Sequence, residues 1–266
     1  FKEGYSHQLL ERLLSVDANH GGVRSHHPGA VLDPFSGSGT TAVSAIALNR
    51  RHGLSSPVHA IERNPVMHTI SQAKIAGIAM GAGLADRLRS QEERYWRILD
   101  RELARPDADA LSGSVTLDNR KYYTADTVAT LRAMARAARS VADEDVQNHF
   151  LAMTAACVEP AGLVRRDGRA LRFTPGKRVQ EPRKLFTQLL EDSLSDLDSI
   201  VEPYEGDVGV HLADARDPEG MDASDFDWAI CSPPYPNNID YTEVYKIEAW
   251  ALGFYASADE MKAQRL

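Results

Sequence analysis

Leu9, Leu10, Leu13 and Leu14 recur at helical spacing and predict a helix over 5–16, closed by a Gly- and His-rich stretch at 19–29. The apolar run at 30–33 then reaches the turn-rich string Pro34-Phe35-Ser36-Gly37-Ser38-Gly39, and small and apolar residues over 40–50 suit a helix. The pattern repeats: a strand at 57–62, a turn at Arg63-Asn64-Pro65 and a helix over 66–80. Two strand-helix units in series predict a parallel sheet with helices on its faces. From 84 to 203 the chain turns rich in Ala, Arg, Asp and Leu with helical periodicity, predicting helices near 84–103, 124–141, 143–157 and 182–200. Inside this region polar and apolar residues alternate over 162–173 around Asp167-Gly168, a strong hairpin signal. Strand patterns resume at 207–214 and 226–231, followed by helical spacing over 240–255 and a capping box at Ser257-Ala258-Asp259-Glu260.

The expected architecture is therefore α/β: residues 1–83 and 204–266 form one Rossmann-like sheet domain, and 84–203 form a large, mostly helical insertion carrying the hairpin. The longest apolar runs fall short of the about 18 residues a membrane span needs. With no apolar signal core at its start, the chain reads as soluble and cytoplasmic. Cys157 and Cys231, both in apolar stretches, exclude a disulfide framework and read as packed, reduced thiols. No metal-ligand spacing of the paired-Cys or paired-His kind occurs. His26 and His27 read as loop residues, and Trp96, Trp228 and Trp250 as core.

Net charge is −8, which on its own argues against a nucleic-acid partner. Its distribution changes that picture. Residues 191–227 carry 13 acids against Arg216, so the remainder of the chain is net positive. Just before them, 163–184 carries Arg165, Arg166, Arg169, Arg172, Lys177, Arg178, Arg183 and Lys184 against Asp167 and Glu181. Arg165, Arg166, Arg169, Arg172, Lys177 and Arg178 are candidates to neutralise phosphates; a solvated surface accounts for them equally.

Two strings carry chemistry. Asp33-Pro34-Phe35-Ser36-Gly37-Ser38-Gly39-Thr40 stands at the carboxyl end of the first strand, where doubly wound sheets bind ligands and glycines admit a ligand to the backbone. Gly37, Gly39 and Ala42 with Glu62 downstream also fit a dinucleotide fingerprint, and a purely structural turn is a further alternative. Glu62, closing the second strand, suits two ribose hydroxyls. The second string is Cys231-Ser232-Pro233-Pro234-Tyr235. Consecutive prolines end strand pairing and fix the backbone. The Ser232 hydroxyl and Pro233 carbonyl can then accept hydrogen bonds from an exocyclic amine while Tyr235 stacks on the attached ring.

Together the two strings resemble the amino-methylating DNA methyltransferases, which use S-adenosylmethionine to make N4-methylcytosine or N6-methyladenine. The match lies in Asp33 to Thr40 and in Ser232, Pro233, Pro234 and Tyr235, and not in the central insertion. The resemblance implies that Asp33, Pro34, Phe35, Gly37, Gly39, Thr40 and Glu62 bind the cofactor, and that Asp214 binds its adenine amino group. It implies double-stranded DNA as partner, with Asn237 and Asn238 ordering around a flipped base. Catalysis would be mainly positioning, which supplies roughly 7–11 kcal/mol without a covalent nucleophile. Serine at the first catalytic position resembles the cytosine-N4 group. Adenine N6, an RNA or protein substrate, a nicotinamide-dependent oxidoreductase, and a fold-only DNA-binding module stand as alternatives. Restriction-modification is the setting such enzymes suggest. Two departures go with the resemblance. The insertion falls between the second and third strands, and only 31 residues follow Tyr235, too few for the last three strands of the usual seven. The expectation is that a missing segment or a partner chain completes the sheet and is needed for activity.

Overall fold

The computed structural model describes residues 6, 8–10, 29–105, 117, 119–167, 170–217, 221, 223–232, 244–255 and 258–263. The chain divides into two compact units, Phe1–Leu84 with Leu197–Pro234, and Ala85–Asp196 with Tyr235–Leu266. The sequence pattern assigns all of 204–266 to the sheet domain; the structure divides the chain after Pro234, and Tyr235–Leu266 belongs with the helices.

The first unit is α/β. Strand β1 (Val31–Asp33) leads through the glycine loop into helix α1 (Thr40–Arg51), and β2 (Val58–Glu62) leads into α2 (Pro65–Met80). Asn64 starts α2 by accepting hydrogen bonds from the amides of Val66 and Met67, with Pro65 preset for the first turn. Strand β5 (Val208–Leu212) pairs with β2, and β6 (Trp228–Ala229) pairs with β1, all parallel, giving the order β5-β2-β1-β6. Register places Val31, Val58 and Val208 side by side. Together with Val210 they pack on Ala42, Ala45, Ile46 and Leu48 of α1 and on Ile75 and Ala79 of α2. Each buried aliphatic side chain of this kind stabilises by about 1.5–3 kcal/mol. Successive residues point to opposite faces, so His59 and His211 share the other face of the sheet. His59 Nδ1 lies 3.2 Å from His211 Nε2, and His59 Nε2 lies 3.2 Å from Asp207.

The fourth strand is shorter than the predicted 226–231. Asp227 turns its carboxylate back to accept from the Ala30 amide at 2.8 Å, and pairing begins only at Trp228. The 5–16 helix is described only at 8–10.

The second unit holds most of α3 (Ala82–Leu103), α4 (Ala125–Arg139) and α5 (Glu144–Val158), the antiparallel ribbon of β3 (Val164–Asp167) and β4 (Ala170–Phe173), most of α6 (Pro182–Asp198), and α7 (Lys246–Leu252) with α8 (Ala258–Ala263). Thr124 and Asp143 cap α4 and α5 through their side chains, and Arg87 holds Asp143 and Asp145, fastening α3 to the start of α5. Tyr95, Phe150 and Phe186 stack at the centre, with ring centroids 4.6 and 4.9 Å from Tyr95. Cys157 and Trp250 are buried, whereas Trp96, Trp228 and Cys231 are half-buried. Among the described residues no helix is long and apolar enough to cross a membrane.

Candidate functional site

Counted within the parallel sheet, the strand order is third, second, first, fourth. After β1 the chain crosses to one side and returns later, as β6, on the other. Open α/β sheets take their ligands at such a reversal, outside the carboxyl ends of the strands. That end of β1 carries the glycine loop.

Beneath the loop sits Asp33, 2% exposed, accepting hydrogen bonds from the Phe35 amide at 3.0 Å and from the Thr41 hydroxyl. Burial pushes its carboxyl up to about 6, with these two hydrogen bonds pulling it back. The Ser36 amide donates to the Ile61 carbonyl at 3.0 Å, and the Ser36 and Ser71 hydroxyls meet at 2.9 Å, so the loop is tied to β2 and α2. Gly39 takes φ 80°, and a Cβ there would stand 2.6 Å from the Ser71 hydroxyl. Gly37, at φ 54°, faces open space where a Cβ would point. Pro34 and Thr40 are half-buried and Phe35 is exposed. Gly39 precedes α1 and offers no side-chain cap, so the partial positive end of a 12-residue helix meets the loop.

Glu62 reaches under the loop from β2. Its Oε2 accepts from the Gly37 amide and its Oε1 from the Asn64 amide, each at 2.7 Å. Burial pushes it up to about 7; the Asn64, Gly37 and, least, Arg63 amides oppose that shift and the neighbouring Asp33 adds to it. Each carboxylate oxygen keeps one further acceptor position, which suits a vicinal diol.

Asp214 is arranged otherwise. It lies in a turn beyond β5. Arg216 donates to its Oδ1 from the backbone amide and Nε, both at 3.0 Å, and to its Oδ2 from Nη2 at 2.6 Å; Arg63 stands 3.4 Å from Oδ2. These arginine contacts hold its carboxyl well below the usual carboxylate range. Three donors from Arg216 take three of the four acceptor positions of the carboxylate, and the last one, on Oδ2, faces Arg63 Nη1, which is buried and makes no hydrogen bond.

The remaining wall comes from β6. The Ile230 amide donates to the Leu32 carbonyl at 2.9 Å, which keeps the chain beside β1 beyond the last paired residue. Burial raises the Cys231 thiol, and the Asp33 carboxylate raises it further. Ser232 comes next, half-buried. Pro233, Pro234, Tyr235, Asn237 and Asn238 lie outside the described residues.

No protein family, curated protein or solved structure matches the chain.

The basic residues separate into two groups. Arg165 and Arg172 are exposed and directly opposite each other across the ribbon, and Arg178 is exposed. Arg166 and Lys177, read as phosphate contacts, are instead structural. Arg166 turns to the other ribbon face, where it bonds the buried Glu248 carboxylate, donates to the Val244 carbonyl at 3.2 Å and lies over the Tyr245 ring. Lys177 Nζ donates to the Glu159 and Val164 carbonyls, both at 2.6 Å. Arg169 lies outside the described residues.

Sequence reasoning missed Thr41, Ser71, Arg63 and Arg216. Thr41 stands one residue past the recognised string, and its hydroxyl closes the Asp33 shell. Ser71 was accessible in principle: Asn64-Pro65 fixes the start of α2, and small residues along that helix mark where a loop approaches closely.

Proposed function

We propose that this chain is an S-adenosylmethionine-dependent DNA amino-methyltransferase acting on a flipped base, with cytosine N4 preferred. One observation carries the reading. The glycine loop, open at Gly37 and floored by Glu62, leaves β1 immediately beside β6, and the Ile230 amide, two residues before Ser232, still bonds the Leu32 carbonyl. A donor held at the first corner and an acceptor held at the second are thereby neighbours.

The residues fit the cofactor. Gly37 lets a ligand approach the backbone, and Glu62 retains two acceptor positions for ribose hydroxyls. Exposed Phe35 and Leu212, the latter the last residue of β5 and in register with Glu62, offer apolar surface for a ring. When bound, S-adenosylmethionine supplies an electrophilic methyl group on a sulfonium centre. Ser232 and the Pro233 carbonyl accept the two amine hydrogens, and this directs the nitrogen lone pair toward that methyl. Methyl transfer from a donor held there would need no covalent intermediate on the protein, and the surplus proton on nitrogen would leave to solvent. Asp33 and Glu62 balance the positive charge of the donor through space, while rate enhancement comes chiefly from holding both reactants in line. Cys231, its thiol raised by burial, has no part in the chemistry.

Incubation with S-adenosylmethionine and unmethylated DNA, then nucleoside mass spectrometry, tests the reading. N4-methylcytosine is expected, and N6-methyladenine would move the target to adenine. Absence of any methylated nucleoside, together with no thermal stabilisation by S-adenosylmethionine, overturns it. A ligand at 100 times its Kd stabilises by about 2.7 kcal/mol, so the shift is readily seen. The same measurement with NAD separates the oxidoreductase reading.

A further inference from the structure

Beyond β5 the chain makes a turn over Asp214, Ala215, Arg216 and Asp217, closed by the Asp217 amide donating to the Asp214 carbonyl at 2.9 Å. The turn stands at the carboxyl end of the sheet. Leu212, the last residue of β5, is in register with Glu62, and Arg63, the next residue after Glu62, faces the Asp214 carboxylate at 3.4 Å. If an adenosine is held with its ribose on Glu62, Asp214 is the carboxylate that accepts the amine of its base.

That carboxylate is already engaged. The Arg216 guanidinium lies along it as a fork, with Nε donating to Oδ1 at 3.0 Å and Nη2 to Oδ2 at 2.6 Å, and the Arg216 amide also donates to Oδ1. Paired charged donors of this kind are among the strongest an arginine makes. The position left on Oδ2 faces Nη1 of Arg63, so an amine arriving there sets one donor against another and against a positive charge. The positions an amine can use well are the two that the Arg216 side chain holds.

The fork is placed where it can come off. Its side chain is 68% exposed, and among the described residues Asp214 is its one charged partner. The backbone amide bond does not depend on the side chain, so Oδ1 keeps its orientation when the guanidinium leaves. Arg63 stays opposite Oδ2 and continues to balance the carboxylate charge.

We infer that Arg216 is a self-ligand of the cofactor site, an autoinhibitory contact that holds the amine-reading side of Asp214 shut until the amine of an adenosine displaces it. The inference rests on the adenosine-bearing cofactor proposed above and adds how its site is regulated. Guanidinium and 6-amino group offer the same chemistry, an N–H to a carboxylate oxygen, and compete for it. Salt screens an exposed ion pair, so it weakens the competitor.

The test uses 5′-methylthioadenosine, which carries the adenosine without net charge, titrated calorimetrically into the unaltered chain, R216M, D214A and the double variant. An exposed ion pair is worth a factor of about 1.5 to 5 in an equilibrium constant, so R216M should bind about 1.5- to 5-fold more tightly than the unaltered chain. In the D214A background R216M should change nothing. From about 50 to about 500 mM salt the unaltered chain should gain affinity and R216M should not. An analogue with hydrogen in place of the 6-amino group should not distinguish the two chains. Thermal melting without ligand checks that R216M is folded, and the salt series on the unaltered chain needs no variant. Binding by R216M that is equal to or weaker than that of the unaltered chain overturns the contact, as does an equal gain for the amine-free analogue or an affinity in the unaltered chain that does not rise with salt. Each of these leaves the cofactor reading standing. Absence of binding of both methylthioadenosine and S-adenosylmethionine overturns the cofactor reading, and the contact with it.

Discussion

Replacing Glu62 by Gln tests the proposed role of its charge in holding a ribose. The carboxylate accepts the Gly37 and Asn64 amides at 2.7 Å each and keeps one acceptor position per oxygen. Glutamine has one acceptor oxygen and one donor amide, so one backbone N–H and one ribose hydroxyl then face a donor. A hydrogen bond to a charged group is worth about 1.5–3 kcal/mol, which predicts a Kd for S-adenosylmethionine raised roughly 10- to 150-fold. The sign of the pH dependence comes from burial, which holds Glu62 up to about 7 in the free protein. Only the ionised carboxylate accepts all four donors. Below pH 7 binding must first expel a proton, so affinity falls about tenfold per pH unit and levels off above. Calorimetric titrations between pH 5.5 and 8.5, in buffers of different ionisation enthalpy, read both the Kd and the released proton. E62Q should show neither the slope nor the proton. The variant also leaves one amide unpaired, costing about 1–3 kcal/mol of stability, so the titrations belong well below its melting temperature. A Kd within threefold of the unaltered chain, or an affinity in that chain indifferent to pH, refutes the assignment of the ribose to Glu62.

Gly39→Ala should destabilise by about 2–4 kcal/mol in urea melts, since its Cβ meets the Ser71 hydroxyl and φ is left-handed. Gly37→Ala, with open space before it, should cost only about 1–2 kcal/mol while weakening ligand binding. Arg166→Met should cost about 3–5 kcal/mol because it leaves the Glu248 carboxylate buried and alone, whereas exposed Arg165→Met should stay within about 0.5 kcal/mol. Burial and the neighbouring His59 hold His211 below the usual imidazole range, so the unfolded chain protonates first on acidification. Stability should decline as pH falls through about 6.5, and His211→Gln should remove that part of the decline in melts at graded pH.

What could be read in the sequence was whatever is local. The apolar runs at β1, β2 and β5, the Asn64-Pro65 start of α2 and the two-residue alternation of the ribbon are consequences of neighbours along the chain, and they are present in the fold. Alternation fixes that Arg165 and Arg166 point to opposite faces, but not which face is covered. That is decided by Glu248, 82 residues away. The same holds for the division after Pro234, since α7 packs on α4 and α5 within the helical unit, and an amphipathic helix does not state its partner. Asp214 is the converse case. Its arginine is two residues along the chain, yet the sequence does not say that the pair closes on itself. The consequence reaches the proposed chemistry. With three acceptor positions taken by Arg216, Asp214 has a single one left for an amine, on the oxygen that faces Arg63. Glu62, with two positions open, can take its hydroxyls while keeping both backbone amides. On the proposed reading, the acceptors for a ribose at Glu62 are in place in this fold, whereas at Asp214 an adenine amine would meet one acceptor position unless the turn that holds Arg216 rearranges.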